Sequence, residues 1–371
     1  MKNIRLNQLD GLRGLFCLVV ILTHFPFRDS FFTSNFVVRQ GYLFVDFFFV
    51  LSGFVISFNY YDIIKTSDDL KQYLQKRFLR LYPLLLYTVF VCLLFELFFV
   101  WYFPNLLTHQ KTVPHLLYLT FDSLTFLNST PVLGETLGMN YPTWSISAEM
   151  IAYVTFGLIL LLSGRRNKLV FCITLLAAGG FLAYKKNYLV EGDWGFVRGL
   201  ICFIAGIFSF IVFKKYHHIK LKKYFEYLVP VLLFTLFYFR HYYFEENGLV
   251  ASKELFTLLV VPAFFGISIF IYALSNGFLV RSLCGRFFQF VGKISYSIYL
   301  NHAIVLILVT RFMFDILKLP KNEFSIGISL LLSMVVVIIY SHFTYIFIEK
   351  KGKKLLSAII GANKPQKNML P

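Results

Sequence analysis

The residues best suited to proton transfer and anion binding first appear in an apolar segment near the start of the chain. Arg13 and His24 are eleven residues apart, which is almost three turns of a helix. A helix would therefore carry both on one face, about 16 Å apart along its axis. An imidazole with a pKa of about 6.5 can take a proton from a hydroxyl near neutral pH. A cytoplasmic anchor at Arg13 and an interfacial histidine would explain the same spacing equally well.

A second pair of cationic residues opens the third apolar segment. Arg77 and Arg80 are three residues apart, so they share a helix face. Two guanidinium groups at a helix start could bind a phosphate through several hydrogen bonds. Ordinary anchoring of a membrane helix by positive charge is the alternative interpretation.

Two carboxylates interrupt apolar segments in which an unpaired charge would be costly. Asp46 precedes three phenylalanines, and Glu149 follows Ser145 by four residues. A charged side chain in the middle of a membrane helix costs about 2.5–3.5 kcal/mol on insertion scales. Each carboxylate therefore needs a partner inside a bundle. Glu149 could pair with a buried arginine, or orient His24 as the carboxylate of a catalytic triad does.

A polar stripe lies in the ninth apolar segment. Ser295, Tyr299 and His302 recur at positions i, i+4 and i+7. Such a stripe is more often helix–helix hydrogen bonding than chemistry. The sequence contains no HExxH or CxxC motif and no histidine–carboxylate spacing that suits a metal, so we predict no metal site.

The composition indicates what kind of protein positions these groups. Of 371 residues, 58% are apolar and 15% are charged, against about 45–50% and about 25% in soluble proteins. The mean hydropathy is +0.68. These values exclude a soluble enzyme, a disordered chain and a disulfide scaffold. We predict one membrane-embedded domain over residues 1–350 and a basic, disordered cytoplasmic tail over 351–371.

Apolar segments predict an all-α polytopic membrane protein with about ten transmembrane helices. A crossing helix needs about 20 mostly apolar residues. The stretch 115–127 is too short and is expected to be interfacial or re-entrant. The ten candidates are residues 12–25, 43–60, 81–103, 144–162, 169–183, 196–213, 225–239, 255–274, 287–309 and 325–348.

The net charge of +17 is distributed as in a membrane protein. One set of alternate loops, with both termini, holds 24 Lys and Arg residues, and the opposite set holds 10. This bias predicts cytoplasmic termini and contacts with anionic lipid headgroups. The pair Lys185 and Lys186 goes against the trend. A nucleic-acid partner is not expected, because basic residues are not clustered on a soluble face.

Five motifs together resemble the acyltransferase 3 family of membrane acyltransferases, which includes bacterial O-acetyltransferases of cell-surface glycans. The motifs appear in the family's order from residue 9 to residue 302. They are Leu9-Asp10-Gly11-Leu12-Arg13-Gly14 with His24, Asp46-Phe47-Phe48-Phe49-Val50-Leu51-Ser52-Gly53, Arg77-Phe78-Leu79-Arg80-Leu81-Tyr82-Pro83, Trp144-Ser145-Ile146-Ser147-Ala148-Glu149 and Ser295-Tyr296-Ser297-Ile298-Tyr299-Leu300-Asn301-His302.

The resemblance implies a ten-helix transferase that takes an acyl group, most often acetyl, from acyl-CoA. It implies that His24 is the essential histidine and that Arg13, Arg77 and Arg80 handle the anionic donor. Glu149 is predicted to act with His24, although its motif is less acidic than in many relatives. The motif residues expected to support these groups are Asp10, Asp46, Trp144, Ser147, Tyr299 and His302.

The predicted function is therefore transfer of an acyl group to a carbohydrate hydroxyl in the inner membrane. Acyl-CoA is a substrate, and no bound cofactor is expected. His24 would be a general base or a transient acyl carrier. The chain would deliver the group itself, or an extracytoplasmic partner would complete delivery. The acceptor, the acyl length and the oligomeric state stay open.

A transporter or flippase of a lipid-linked glycan is the alternative. Ten spans, a buried carboxylate and intramembrane histidines would fit a proton-coupled carrier. Such proteins usually show inverted repeats and paired broken helices, and neither is visible in the sequence.

Overall fold

The computed structural model describes residues 6–102, 112–133, 137–187, 189–245 and 250–361. Within these ranges the chain forms helices and no β-strands. A helix overlaps each of the ten predicted apolar segments. These helices are α1 (Asn7–Thr23), α3 (Phe44–Tyr60), α4 (Ser67–Tyr102), α6 (Thr143–Ser163), α7 (Asn167–Lys185), α8 (Gly195–Tyr216), α9 (Leu228–Phe239), α10 (Val250–Leu274), α12 (Arg286–Arg311) and α13 (Glu323–Thr344).

Among the described residues, seven helical stretches are long and apolar enough to cross a membrane. One of them, Thr143–Lys185, contains both α6 and α7. α1 has 17 residues and α9 has 12, fewer than the 20 of the shortest of these stretches, so ten crossings and the side of the termini stay predictions. The seven stretches are Gly41–Tyr60, Ser67–Tyr102, Thr143–Lys185, Gly195–Tyr216, Glu254–Leu274, Arg286–Ile316 and Glu323–Ile359.

Four shorter helices complete the described chain. They are α2 (Phe36–Arg39), α5 (Val113–Leu124), α11 (Phe278–Leu283) and α14 (Lys351–Ile359). The 12 residues of α5 span about 18 Å. That length is too short for a hydrocarbon core of about 30 Å, as expected for residues 115–127.

The prediction of a disordered tail from residue 351 is wrong for its first part. Residues Lys351–Ile359 form α14, which packs on α4: a Cβ at Gly352 would lie 2.9 Å from the Cβ of Pro83. At helical spacing Leu355, Leu356 and Ile359 share one face of α14, and its three lysines lie on the other, so the helix is amphipathic. The remainder of the predicted tail, 362–371, lies outside the described residues.

The helix that carries Arg77 and Arg80 begins well before the apolar segment predicted at 81–103. Its first turn is capped by Thr66, whose hydroxyl accepts a hydrogen bond from the Asp69 amide at 3.2 Å, while the Asp69 carboxylate accepts one from the Thr66 amide at 2.9 Å. This reciprocal cap starts the helix in a polar stretch. Both arginines therefore lie inside α4 and not at its start.

Two close helix crossings form the centre of the bundle. A Cβ at Gly53 on α3 would lie 2.0 Å from the Phe203 carbonyl oxygen on α8. A Cβ at Gly292 on α12 would lie 2.1 Å from the Asp10 carbonyl oxygen on α1. Only glycine permits such an approach of backbones. The crossings bring Asp46 against α8 and Arg13 against α12.

Candidate active site

A cavity of about 170 Å³ lies where α1, α3, α4, α6 and α12 meet. The structure brings the three predicted arginines and Glu149 together in its wall. Tyr299 also lines it, whereas His24 does not. The polar side chains of the wall are Arg13, Ser52, Arg77, Arg80, Ser145, Glu149, Tyr153, Ser295, Tyr296 and Tyr299.

Arg13 joins α1 to α12 as well as lining the cavity. Its Nη2 donates to Asp10 Oδ1 at 2.9 Å and to the Gly292 carbonyl at 2.9 Å. Its Nε also donates to the Gly292 carbonyl, at 3.3 Å. Asp10 therefore compensates much of the Arg13 charge, and the pair fixes the position of α1 in the bundle.

Arg80 forms an ion pair with Glu349, which the sequence analysis did not single out. Glu349 is buried at the end of the last apolar segment, and its Oε2 accepts a hydrogen bond from the Ser297 hydroxyl at 3.0 Å. The Tyr296 ring lies 5.4 Å from the Arg80 guanidinium. Glu349 directly follows an apolar segment, and this position could have marked it as a buried carboxylate. With Lys350 beside it, it looks in the sequence like part of a charged tail.

Arg77 differs from the other two arginines because it forms no ion pair within the described ranges of the chain. Its Nη2 donates to the Tyr60 hydroxyl at 3.2 Å, and the Tyr60 ring lies 5.2 Å from the guanidinium carbon. Its Nε is buried and has no hydrogen-bond partner among the described residues. A half-buried cation with a buried Nε and no carboxylate partner in the described ranges favours an anionic ligand, since charges shielded from water need compensation.

Glu149 lies among the arginines, and its contacts do not include His24. Its Oε1 accepts hydrogen bonds from the Ser52 hydroxyl at 2.6 Å and the Tyr153 hydroxyl at 2.5 Å. These contacts replace both sequence-based interpretations, pairing with an arginine and orientation of His24. Tyr153 stands four residues after Glu149, so their i, i+4 spacing was a usable signal.

His24 caps the end of α1, and its backbone contact fixes the position of its proton. Its Nδ1 lies 2.9 Å from the Val20 carbonyl oxygen. A carbonyl only accepts, so the neutral ring carries its proton on Nδ1 and a lone pair on Nε2. An imidazole with a bare Nε2 can act as a base or a nucleophile.

His302 is a second imidazole in the same state, and its ring centroid lies 5.0 Å from that of His24. Its Nδ1 lies 2.6 Å from the Tyr299 carbonyl oxygen, which leaves the lone pair on Nε2. The side chain is fully buried, and this Nε2 has no hydrogen-bond partner in the described part of the chain. The polar stripe of α12 therefore places a second imidazole beside His24.

Tyr299 connects the arginine cavity with the two imidazoles. The residue lines the cavity, and its hydroxyl accepts a hydrogen bond from the Ser145 hydroxyl at 2.9 Å. Its ring centroid lies 5.8 Å from that of His302. The Tyr299 side chain thus lies between the cavity lined by the arginines and the two histidine rings.

Asp46, Trp144 and Ser147, which were also predicted to support the site, are not among the residues that line the cavity. Asp46 accepts hydrogen bonds from Arg198 Nε at 2.8 Å and Nη2 at 2.9 Å, and both side chains are buried. The Arg198 guanidinium lies 5.6 Å from the Trp144 ring. Ser147 donates to the Phe126 carbonyl at 2.5 Å. The expectation that Asp46 has a partner inside the bundle is confirmed, and the sequence analysis missed that this partner is Arg198.

Replacing Asp46 with Leu is expected to destabilise the protein by about 3–5 kcal/mol, because it leaves Arg198 as an uncompensated buried charge. The unfolding temperature of the purified protein measures the loss. The double variant D46L/R198M removes both charges and should recover much of it. Asp29→Ala is the control, since Asp29 is 94% exposed in its pair with Arg39 and such pairs contribute little. An unchanged unfolding temperature for D46L would contradict the prediction.

Comparisons with known proteins cover a family model, individual relatives and solved structures. A family model described as an acyltransferase domain matches residues 6–343. An acyltransferase named MdmB from Streptomyces mycarofaciens is 29% identical over 173 residues, which are 42% of this chain and 39% of the relative. Protein 2 in the picA locus of Rhizobium radiobacter is 31% identical over 161 residues, which are 41% of this chain and 81% of the relative. The match to MdmB thus spans about two fifths of that relative's length. No solved structure matches.

Proposed function

The chain belongs to the acyltransferase 3 family of membrane acyltransferases, and from this premise we propose that it is an inner-membrane O-acyltransferase. It moves an acetyl group from cytoplasmic acetyl-CoA to a hydroxyl of a cell-surface or lipid-linked carbohydrate. Acetyl-CoA is consumed as a substrate, and the chain needs no bound cofactor.

The observation that carries the proposal is the cavity in which Arg77 has no carboxylate partner among the described residues. Acyl-CoA has its phosphates at one end and its thioester at the other, separated by the long pantetheine arm. Arg77, with Arg13 and Arg80 beside it, offers guanidinium groups that suit the phosphates. At about 170 Å³ the cavity is smaller than usual ligand pockets of about 300–1,000 Å³, so the reacting end of the donor extends beyond it.

The reacting end then lies towards Tyr299 and the imidazoles. His24 Nε2 takes the proton of the acceptor hydroxyl while the hydroxyl oxygen attacks the thioester carbonyl carbon. The carbon–sulfur bond breaks, the ester forms, and the proton passes to the CoA sulfur. In a second route the same Nε2 first carries the acyl group and then releases it to the hydroxyl. Both routes require the lone pair that the Val20 contact leaves on Nε2.

The proposed topology places the donor and acceptor on opposite sides of the membrane. Cytoplasmic termini put the start of α4 at the inner face and the His24 end of α1 towards the outer face. The acceptor glycan then approaches from outside. The chain delivers the group itself or hands it to an extracytoplasmic partner.

The test is transfer of labelled acetyl groups by the purified protein in lipid nanodiscs. We expect [1-¹⁴C]acetyl-CoA to release free CoA thiol together with base-labile acetyl ester on methyl pyranosides of glucose, galactose, mannose and N-acetylglucosamine. Succinyl-CoA in parallel decides the acyl group. Release of no thiol, with movement of a lipid-linked glycan across proteoliposomes, would establish the transporter instead.

A further inference from the structure

A tyrosine–glutamate pair lies beside His24, outside the arginine cavity. The Tyr141 hydroxyl donates to Glu191 Oε2 at 2.6 Å, and the Tyr141 ring centroid lies 5.5 Å from that of His24. Tyr141 immediately precedes α6, and Glu191 lies in the loop that leads into α8. Two segments distant in sequence therefore meet at the end of α1.

The Tyr141–Glu191 pair still offers an aromatic surface and hydrogen-bond acceptors to a ligand. Tyr141 is 36% exposed, and Glu191 is partly exposed. Burial and the Glu191 carboxylate raise the pKa of Tyr141, so the phenol keeps its proton and acts as a donor. The hydrogen bond described for Glu191 uses one of its two oxygens, and a carboxylate accepts several hydrogen bonds. Glu191 thus has free acceptor positions beside a half-exposed aromatic ring.

The groups around His24 include the Tyr141–Glu191 pair, so this pair lies next to the proposed catalytic imidazole. Glu191 and the exposed Arg28 are the charged residues that act electrostatically on His24. The second imidazole, His302, is packed against His24 and presents a fully buried Nε2 without a partner in the described ranges. A buried acceptor atom without a donor is costly, and a hydroxyl-bearing ligand would supply that donor.

We propose that Tyr141 and Glu191, with His302, form the acceptor subsite, and that the subsite takes a neutral polyhydroxylated ring. One hydroxyl donates to His24 Nε2 and becomes the attacking oxygen. A neighbouring hydroxyl donates to Glu191, and an apolar C–H face of the ring packs on Tyr141. A carboxylate at this position disfavours anionic acceptors next to it. The inference rests on the proposed function and specifies the residues that select the acceptor.

The experiment compares variants of the full chain in nanodiscs, with the four methyl pyranosides as acceptors and acetyl-CoA as donor. Glu191→Ala and Tyr141→Ala should each raise the KM for the sugar at least about tenfold, as expected for loss of a hydrogen bond to a charged group or of ring contact. The KM for acetyl-CoA should change less than twofold. Glu191→Gln keeps an oxygen for the Tyr141 hydroxyl and should recover part of the loss.

Asp29→Ala is the matched control, an exposed carboxylate in the loop after α1 that should change neither constant. An unchanged sugar KM in both alanine variants contradicts the acceptor subsite while the proposed function stands. A raised acetyl-CoA KM without a raised sugar KM also overturns it. A wild-type protein that acetylates amines and not sugars contradicts the proposed function itself, and the subsite with it.

Discussion

Replacing His24 with Ala is expected to lower kcat for acetyl transfer by about 10²–10⁴-fold, the usual contribution of a general base. The substitution removes the Nε2 lone pair, which both proposed routes use. It leaves the arginine cavity intact, because His24 does not line it. The dissociation constant for acetyl-CoA should therefore stay within about twofold of the wild-type value, and the purified variant should elute as a folded protein.

His217 provides the control for this substitution. It is an exposed histidine just after α8 whose Nδ1 also contacts a backbone carbonyl, that of Lys214, at 3.0 Å. His217→Ala should retain full transfer. Full activity of the His24 variant would remove the histidine from the mechanism. A loss of acetyl-CoA binding equal to the loss of rate would assign it to donor binding instead.

The sequence predicts the groups of the cavity well because helical spacing decides which residues share a face. Arg77 and Arg80 are three residues apart, and both line the cavity. The same spacing argument places Ser295, Tyr299 and His302 on one face of a helix. Periodicity gives the face of a helix from residues a few positions apart, and that information is local.

The partners of these groups could not be predicted in the same way. Asp46 and Arg198 are 152 residues apart, and spacing along one helix does not tell which other helix packs against it. The pairings Arg80–Glu349 and Tyr141–Glu191 depend likewise on how helices and loops assemble. The sequence predicted that buried charges need partners, and the close approach of α3 to α8 at Gly53 decides which partner Asp46 finds.

Glu149 illustrates the limit of reasoning by analogy with a catalytic triad. The expectation that His24 is a catalytic histidine suggested a carboxylate to orient it. The backbone carbonyl of Val20 performs that orientation instead, at 2.9 Å from Nδ1. The Val20 carbonyl, in the last turn of α1, accepts a hydrogen bond from the His24 backbone amide at 3.2 Å as well as the one from Nδ1, so the end of the helix supplies the acceptor without another side chain. Glu149 is thereby available to hold Ser52 and Tyr153 in the cavity wall.

Replacing Arg77 with Ala is expected to raise the dissociation constant for acetyl-CoA by about 10–150-fold, since a hydrogen bond to a charged group contributes about 1.5–3 kcal/mol. The unfolding temperature should hold or rise, because the substitution removes a half-buried cation that has no carboxylate partner in the described ranges. Isothermal titration with acetyl-CoA and a thermal unfolding scan measure the two quantities separately.

Arg80 provides the contrast to Arg77, because it is paired with a carboxylate. Arg80→Ala leaves the buried Glu349 unpaired, so the unfolding temperature should fall. The loss should be less than the about 3–5 kcal/mol of a fully buried pair, because the Arg80 side chain is 33% exposed. The double variant R80A/E349A should recover stability. If Arg77→Ala destabilised the protein and left acetyl-CoA binding unchanged, the two arginines would have exchanged roles, and the proposed assignment of the donor phosphates to Arg77 would be wrong. An arginine already paired with a carboxylate, as Arg80 is with Glu349, has less to gain from a phosphate than one without a carboxylate partner among the described residues.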